Sequence, residues 1–227
     1  MMKRFFIITI FIIIGLSVGL VVYAKKNISK MEYEEFSTNC KYDLLINEQY
    51  NEMFNFENTF ITKNIESPNE LYELSDYVFI VEVEEKALVG KGIINKVKVK
   101  KVIKGNGVKN GEYIYIYDLV AFVWNDTISY LDGSTPLNVG GNYMVFVNRT
   151  KRANVNNSFI ATSTKYSYIS LDELPVLTEY EKYSKSLYDI ANYQYIFLGS
   201  DIEEVSKYCD FISKIRIEYG DEIENYY

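Results

Sequence analysis

The chain contains no histidine, only two cysteines and only three prolines among its 227 residues. Because it has no imidazole that could serve as a general base or a metal ligand, Ser-His-Asp and Cys-His catalysis are excluded. It also lacks a C-x-x-C pair and a G-x-x-x-x-G-K-[ST] phosphate loop, the motifs of dithiol redox chemistry and of common nucleotide hydrolysis. We therefore expect a protein that is not an enzyme, with no cofactor and no metal site.

One enzymatic alternative stays open, a hydrolase that works without histidine. Asp118, Asp126 and Asp132 fall in or beside predicted loops, where paired carboxylates could perform acid-base chemistry or bind calcium. A Ser-Lys dyad is another route, but no spacing in the sequence selects one serine and one lysine. For Asp132, which precedes a glycine, a simple turn is the competing interpretation.

The two cysteines are Cys40 and Cys209, which lie far apart in the sequence. In an oxidising compartment they could form one disulfide, and the loop-entropy model gives so long a closure roughly 4–5 kcal/mol of stabilisation. The alternative follows from position, because Cys209 falls on the apolar stripe of a predicted helix. There an unpaired cysteine packs as a small hydrophobic side chain.

A long apolar run occupies residues 5–24, between the basic pairs Lys3-Arg4 and Lys25-Lys26. As a helix it would rise roughly 30 Å, the thickness of the hydrocarbon core of a bilayer. Residues 1–24 are therefore predicted to be a signal anchor in the cell membrane, with the rest of the chain outside the cytoplasm. The alternative is a signal peptide that is cleaved after Ala24, which would release the protein by secretion.

The chain as a whole is acidic. Its 31 acidic side chains outnumber the 24 basic ones, and the formal net charge of −7 argues against nucleic acid as a partner.

Periodicity divides the chain beyond residue 24 into three parts. Residues 25–66 have no sustained period and are predicted to form a stalk beside the membrane. Residues 67–170 are predicted to form a β-domain, and residues 171–227 a helical extension.

The β-domain begins with a helix signal. Ser67 is a candidate N-cap, because Pro68 stands at the first helical position and Glu70 follows three residues after the cap. The short helix that this signal predicts ends near residue 75. Its apolar residues Leu71 and Leu74 are predicted to face inward.

From residue 77 almost to residue 169, apolar and polar side chains alternate, which predicts half-buried strands. In the run 93–103, Lys101 breaks the alternation, and a bulge near Lys100 and Lys101 would keep its ammonium out of the core. The run 143–147 is apolar without interruption and predicts a strand that is covered on both faces.

Two capping patterns predict two α-helices near the end of the chain. Thr178 with Glu181, and Ser200 with Glu203, each precede apolar residues at helical spacing. Gly220 is placed to end the second helix. Both apolar stripes are predicted to cover the core of the β-domain.

Three sequence segments resemble those of a known fold: LSDYVFIV at 74–81, VKVKKVIKG at 97–105 and LNVGGNYMVF at 137–146. Their order resembles the barrel domain of small exported bacterial proteins, which is similar to the OB-fold of netrin modules and tissue inhibitors of metalloproteinases. The resemblance implies a mainly β fold with flanking helices, built on an OB-like closed or partly open barrel. It implies no metalloprotease inhibition, because no cysteine here occupies the N-terminal position that the inhibitors use.

The binding candidate is a ladder of lysines. Lys96, Lys98 and Lys100 are predicted to project from one face of a strand in a stretch that has seven lysines and no acid between residues 86 and 104. Such a ladder can simply prevent edge-to-edge pairing of sheets. It can also dock an anionic partner, such as a wall polymer, lipid head groups or an acidic protein face.

The sequence thus predicts a membrane-anchored, extracytoplasmic module that binds other molecules, with interaction with a protein or the cell envelope as the first function. The first alternative is a binder of an anionic wall polymer or glycan through the lysine ladder. The second alternative is the histidine-free hydrolase.

Overall fold

The computed structural model describes ten stretches of the chain: residues 41–45, 65–89, 92–118, 121–124, 127–131, 137–150, 157–172, 176–179, 196–199 and 202–224. In five of them, 41–45, 121–124, 127–131, 176–179 and 196–199, only the backbone is described. The predicted membrane span at residues 5–24 lies outside the described residues. Within the described ranges, no helix has both the length and the apolar character that a membrane crossing requires.

Strands predominate among the elements. The strands are β1 (Lys41–Leu45), β2 (Tyr77–Val89), β3 (Gly92–Lys104), β4 (Tyr113–Asp118), β5 (Ala121–Trp124), β6 (Thr127–Leu131), β7 (Asn142–Arg149), β8 (Ser158–Ala161), β9 (Tyr168–Ser170), β10 (Val176–Glu179) and β11 (Ile196–Gly199). The helices are α1 (Pro68–Leu74), α2 (Ile202–Glu218) and α3 (Gly220–Glu224). The fold is therefore mainly β, with a C-terminal helix, as the alternation in the sequence predicts.

Five strands close into a mixed β-barrel. The order is β2-β3-β4-β8-β7, and β7 pairs with β2 to complete the ring. The β4–β8 pair is parallel and the other four neighbouring pairs are antiparallel. Strand β9 adds to the outer side of β7, while β1, β6 and β5 form a separate three-stranded sheet and β10 pairs with β11.

The barrel interior is filled with apolar side chains. Phe79, Val81 and Val83 share the inward face of β2, as their spacing predicts, and all three are buried. They meet inward side chains of the other barrel strands, among them Val97, Val99, Ile114, Ile116, Val145, Val147, Phe159 and Ala161. Since the interior is packed in this way, ligands would have to bind on the outside of the barrel.

A second core lies between the barrel wall and the helices. Outward side chains of β2, β7 and β9 pack against α1 and α2, and the cluster includes Val78, Ile80, Met144, Phe146, Ile169, Leu71, Tyr208, Phe211, Ile212 and Ile215. Residues 143–147 of β7 are all buried because one face meets the interior and the other meets this cluster. The prediction of a strand that is covered on both faces is confirmed.

The helix signal at the start of the domain is also confirmed. The Ser67 Oγ accepts a hydrogen bond from the Glu70 backbone N–H at 3.2 Å, and Pro68 opens α1. Leu71 is fully buried, but Leu74 is 42% exposed, so the prediction that Leu74 faces inward is wrong. The helix is short, and its last residue has already turned away from the barrel wall.

The predicted bulge in the lysine strand is confirmed by the register. Ile80 of β2 lies opposite Lys101 while Val81 lies opposite Val99, so Lys100 is the extra residue on β3. The bulge leaves Val99 facing inward, where it joins the interior core, and the ammonium of Lys101 lies outside that core in an ion pair with Glu222.

The C-terminal region agrees with the prediction in part. Helix α2 is confirmed and presents Val205, Tyr208, Phe211, Ile212 and Ile215 to the second core. It ends at Glu218, and Gly220 opens the short helix α3 in place of the predicted stop. Thr178, the predicted cap of the other helix, lies in β10, and residues 180–195 lie outside the described residues.

The disulfide between Cys40 and Cys209 stays a prediction, because Cys40 lies outside the described residues. Cys209 lies half-buried on α2. Burial raises the pKa of its thiol, and the neighbouring Asp210 carboxylate raises that pKa further.

We expect Gly105→Ala to destabilise the fold more than the same change at Gly107. Both glycines have positive φ angles, +105° and +84°, so both replacements strain the backbone. Only at Gly105 does the new Cβ meet another group, at 2.2 Å from Cδ1 of Tyr77, whose ring packs against Phe79 and Phe159. Chemical unfolding should give the Gly105 variant a stability lower than the Gly107 variant by about 1–3 kcal/mol. Equal losses would contradict the close contact with Tyr77.

Candidate binding surface

The lysine ladder lies on the outer wall of the barrel. Lys96, Lys98 and Lys100 alternate with the buried Val97 and Val99 along β3, and all three lysines are half-buried. The structure therefore places the predicted residues on one face, as their period of two requires. Because β3 pairs with β2 on one side and β4 on the other, it is an internal strand, and its lysines do not protect a free sheet edge.

Two of the three lysines form ion pairs with glutamates of the neighbouring strand β2. The Nζ of Lys96 lies 2.6 Å from Oε1 of Glu85, and the Nζ of Lys100 lies 2.5 Å from Oε2 of Glu82. The hydrogen bond to Glu85 raises the pKa of Lys96, so this side chain is positively charged at neutral pH. Within the described ranges, Lys98 has no ion pair, although it lies directly opposite Glu82 in the register.

Tyrosines line the other side of the ladder. Strand β4 alternates between the buried Ile114 and Ile116 and the outward Tyr113 and Tyr115, and Tyr113 is 46% exposed. Tyr115 lies opposite Lys96 and Tyr113 lies opposite Lys98. The Nζ of Lys96 also lies 5.1 Å from the centroid of the Tyr113 ring, within the range of a cation–π interaction.

We call this surface the Lys-Tyr face and define it as Lys96, Lys98, Lys100, Tyr113 and Tyr115. Sequence reasoning found its lysines but not its tyrosines. The alternation in 113–117 indicates that these tyrosines share a face, but only the register of β4 against β3 sets them beside the lysines. The face can offer both positive charge and aromatic rings to a molecule outside the barrel.

The other two lysines at the end of β3 have structural contacts. Lys101 forms an ion pair with Glu222 of α3 and donates to the Glu222 carbonyl oxygen at 3.4 Å. Lys104 donates to the Tyr72 carbonyl oxygen of α1 at 2.6 Å, and its Nζ lies 4.3 Å from the centroid of the Tyr72 ring. These two lysines attach helices to the barrel and do not belong to the Lys-Tyr face.

A polar group lies inside one end of the barrel. Asp118 is only 1% exposed, and its Oδ2 accepts from Asn95 Nδ2 at 3.3 Å and from the Leu137 backbone N–H at 3.1 Å. Asp118 therefore lies inside the barrel end and not in an open loop. Asp126 and Asp132 lie outside the described residues, so their convergence with Asp118 stays a prediction. Across the described part of the chain, no three carboxylate or thiol side chains converge as metal ligands would.

A cleft beside α2 is a weaker binding candidate. Its volume is about 550 Å³, and Tyr166 stacks on Phe211 within it at a ring-centroid distance of 3.9 Å. Two of its lysines already form ion pairs, Lys165 with Glu204 and Lys207 with Glu203. The carboxylates of Glu66 and Asp210 also line the cleft, so its lysines do not make a continuous positive surface.

Comparisons with known proteins assign no relative to the chain. No protein-family model matches it, and no curated protein matches it either.

Proposed function

We propose that the chain is a binding module of the OB type, anchored in the cell membrane through residues 5–24 with its barrel outside the cytoplasm. In this proposal, the Lys-Tyr face binds an anionic polymer of the cell envelope. The observation that carries this proposal is the alignment of three lysines and two tyrosines on one outer face of the barrel. The uncharged run between basic pairs supports the anchor.

The strand order supports an OB-type barrel. The first barrel strand, β2, pairs with the second and the fourth, and the third pairs in parallel with the fifth. In OB-folds the face of the second and third strands binds oligonucleotides and oligosaccharides. Here those strands are β3 and β4, which carry the Lys-Tyr face, and the net acidity of the chain favours a saccharide-type polymer over nucleic acid.

The chemistry of the face fits a polymer with regularly spaced anionic groups. Alternate residues of a strand lie roughly 6–7 Å apart, so Lys96 and Lys98 lie at that spacing along β3. The Lys96 ammonium becomes available to a polymer when it exchanges Glu85 for an anionic group of the polymer. The exposed ring of Tyr113 offers an apolar surface for a sugar ring beside these charges. The chain as a whole is acidic, so an anionic polymer would be attracted locally to this face and repelled elsewhere.

A binding assay with the full chain in detergent tests this function. The probes are immobilised polygalacturonate, an anionic polysaccharide, and immobilised dextran, a neutral one. We expect the chain to bind polygalacturonate, to lose that binding as the salt concentration rises, and to ignore dextran. Binding to both polymers at any salt concentration, or to neither, would contradict an electrostatic polymer site.

Neutralising the two ladder glutamates should strengthen binding. In the double variant Glu82→Gln and Glu85→Gln, Lys100 and Lys96 lose their ion-pair partners and become available to the polymer. We expect the affinity for polygalacturonate to rise by about thirtyfold, since each of the two charges near an anionic surface contributes about 1 kcal/mol.

The matched control removes two glutamates from lysine pairs beside the cleft, Glu203→Gln and Glu204→Gln. If the Lys-Tyr face is the binding site, this control should change the affinity far less than the Glu82 and Glu85 variant does. An equal rise in both variants would mean that only the net charge of the protein matters.

A further inference from the structure

Three polar residues lie at inward register positions of neighbouring strands, at one end of the otherwise apolar interior of the barrel. They are Lys86 on β2, Asn95 on β3 and Asp118 on β4, and these three strands are consecutive neighbours in the barrel. Asn95 is fully buried and Asp118 is 1% exposed. Lys86 is half-buried. The amide and the carboxyl group are therefore shielded from water, and the stem of the lysine lies beside them at the same end of the barrel.

The register explains why Lys86 faces inward. Val83 lies opposite Val97, but after a register shift Glu85 lies opposite Lys96, on the outer wall. The next residue, Lys86, consequently lies inward and directly opposite Asn95. Side chains that oppose each other across neighbouring strands have Cβ atoms roughly 4.5–5.5 Å apart, so the lysine stem has ample length to reach the amide.

The same register brings the carboxyl group to the amide. Asp118 lies opposite Ile93, two residues from Asn95 on the inward face of β3. The Nδ2 of Asn95 donates to Asp118 Oδ2 at 3.3 Å and to the Ile116 carbonyl oxygen at 3.4 Å. Among the residues that the structure describes, the buried Oδ1 of Asn95 has no hydrogen-bond partner, which is unusual for a buried amide.

The surroundings favour uncharged forms of the reacting groups. Burial lowers the pKa of the Lys86 amine to about 8, although the Asp118 carboxylate opposes this effect. Burial and the same carboxylate raise the pKa of Tyr168, whose hydroxyl donates to the Tyr117 carbonyl oxygen at 3.4 Å. A neutral lysine amine is a nucleophile, whereas its ammonium form is not.

We propose that Lys86 and Asn95 form an intramolecular isopeptide bond inside the barrel and that Asp118 transfers the protons of this reaction. The proposal concerns the barrel interior, so it does not depend on the function of the Lys-Tyr face. At the buried Asp118, a proton passes from the Lys86 ammonium to the carboxylate, because a low dielectric favours the neutral pair.

The reaction needs no other reagent, because its atoms and protons are all supplied by these three side chains. The lone pair of Lys86 Nζ attacks Cγ of Asn95, and Asp118 gives its proton to the departing Nδ2, to which it is already hydrogen-bonded. The Cγ–Nδ2 bond breaks, one ammonia molecule leaves, and Asp118 takes up the proton that Nζ releases. The product is an amide between Nζ and Cγ, which joins β2 covalently to β3 and removes the charge of the lysine.

Intact mass spectrometry of the full chain under denaturing conditions tests the proposal. We expect a mass that is lower than the sequence mass by one ammonia molecule, and a proteolytic fragment in which the peptides of Lys86 and Asn95 are linked. The variants Lys86→Met and Asp118→Asn should lack both the loss and the linked fragment. The control Lys96→Met, which changes a lysine on the outer face of the same barrel, should keep both.

Four results would overturn the proposal. The first is a wild-type mass equal to the sequence mass. The second is an ammonia loss that persists in Lys86→Met, since an Asn-Gly pair such as Asn110-Gly111 can lose ammonia by forming a succinimide. The third is a loss of water, which would make Asp118 the acyl partner in place of Asn95. The fourth is a linked fragment in an Asp118→Asn variant whose circular dichroism matches that of the wild type, since Asp118 would then transfer no proton.

Discussion

Replacing Phe159 by alanine is expected to lower the free energy of unfolding by about 3–5 kcal/mol, the usual loss for a large aromatic side chain in a core. Phe159 of β8 is fully buried and completes an aromatic cluster inside the barrel. Its ring meets those of Tyr77 and Phe79 edge to face, at centroid distances of 5.0 and 5.6 Å. The loss of stability is large because the missing ring leaves a cavity in the core. That cavity would lie beside β8, the strand that closes the barrel between β4 and β7.

Urea unfolding followed by circular dichroism measures this effect. The control is Val139→Ala, which shortens a side chain that is 56% exposed and should change stability by about 0.5 kcal/mol or less. If the two variants lost the same stability, the interior of the barrel would not be packed as described. Because domain stability is about 5–15 kcal/mol, the Phe159 variant should also unfold at a clearly lower temperature.

The second large effect is expected at Asp118. Asp118→Ala should cost about 3–5 kcal/mol, because Asp118 is almost fully buried and its removal leaves the neighbouring Lys86 without its carboxylate. The change also deprives two buried donors, the Asn95 amide and the Leu137 backbone N–H, of their acceptor. Unfolding in urea at neutral pH measures the loss.

The control for this prediction is Asp172→Ala. Asp172 is exposed, and it accepts from the Asn142 backbone N–H at 2.6 Å and from Asn142 Nδ2 at 3.1 Å. Because water can replace those contacts, we expect a loss of about 1 kcal/mol or less. An Asp118 variant that is no less stable than the Asp172 variant would show that the carboxylate is not part of a buried polar group.

The local features of the fold could be predicted from the sequence. The cap at Ser67 depends on residues within four positions, and the inward faces of β2 and β3 follow from a period of two. The bulge at Lys100 was also predictable, because continued alternation would have buried the ammonium of Lys101. Each of these signals acts within a few residues.

The features that the sequence could not predict depend on pairing between distant elements. Lys86 faces the interior only because a register shift near Glu85 changes the alternation of β2, and no residue there requires a shift. Leu74 has the spacing of a buried residue, but it is the last residue of the short helix α1 and is 42% exposed. The closure of the ring by β7 and β2 is likewise a long-range pairing.

The candidate site shows the same division between local and long-range information. The shared face of the three lysines was predictable from their spacing. Their ion pairs with Glu82 and Glu85 were not, because these pairs require the register between β3 and β2. In the proposed function, these pairs would balance two of the three charges while a polymer is absent and would be exchanged for contacts with its anionic groups when it binds.

The central claim, that the Lys-Tyr face binds an anionic polymer, is tested most directly by its lysines. The measurement is the affinity of the full chain for polygalacturonate with Lys96, Lys98 and Lys100 changed together to Gln, compared with Lys165, Lys207 and Lys214 changed to Gln. The two triple variants remove the same charge, and both include half-buried, ion-paired lysines. We predict a loss of at least about tenfold for the first and little change for the second. Equal affinities of the two variants would contradict the claim.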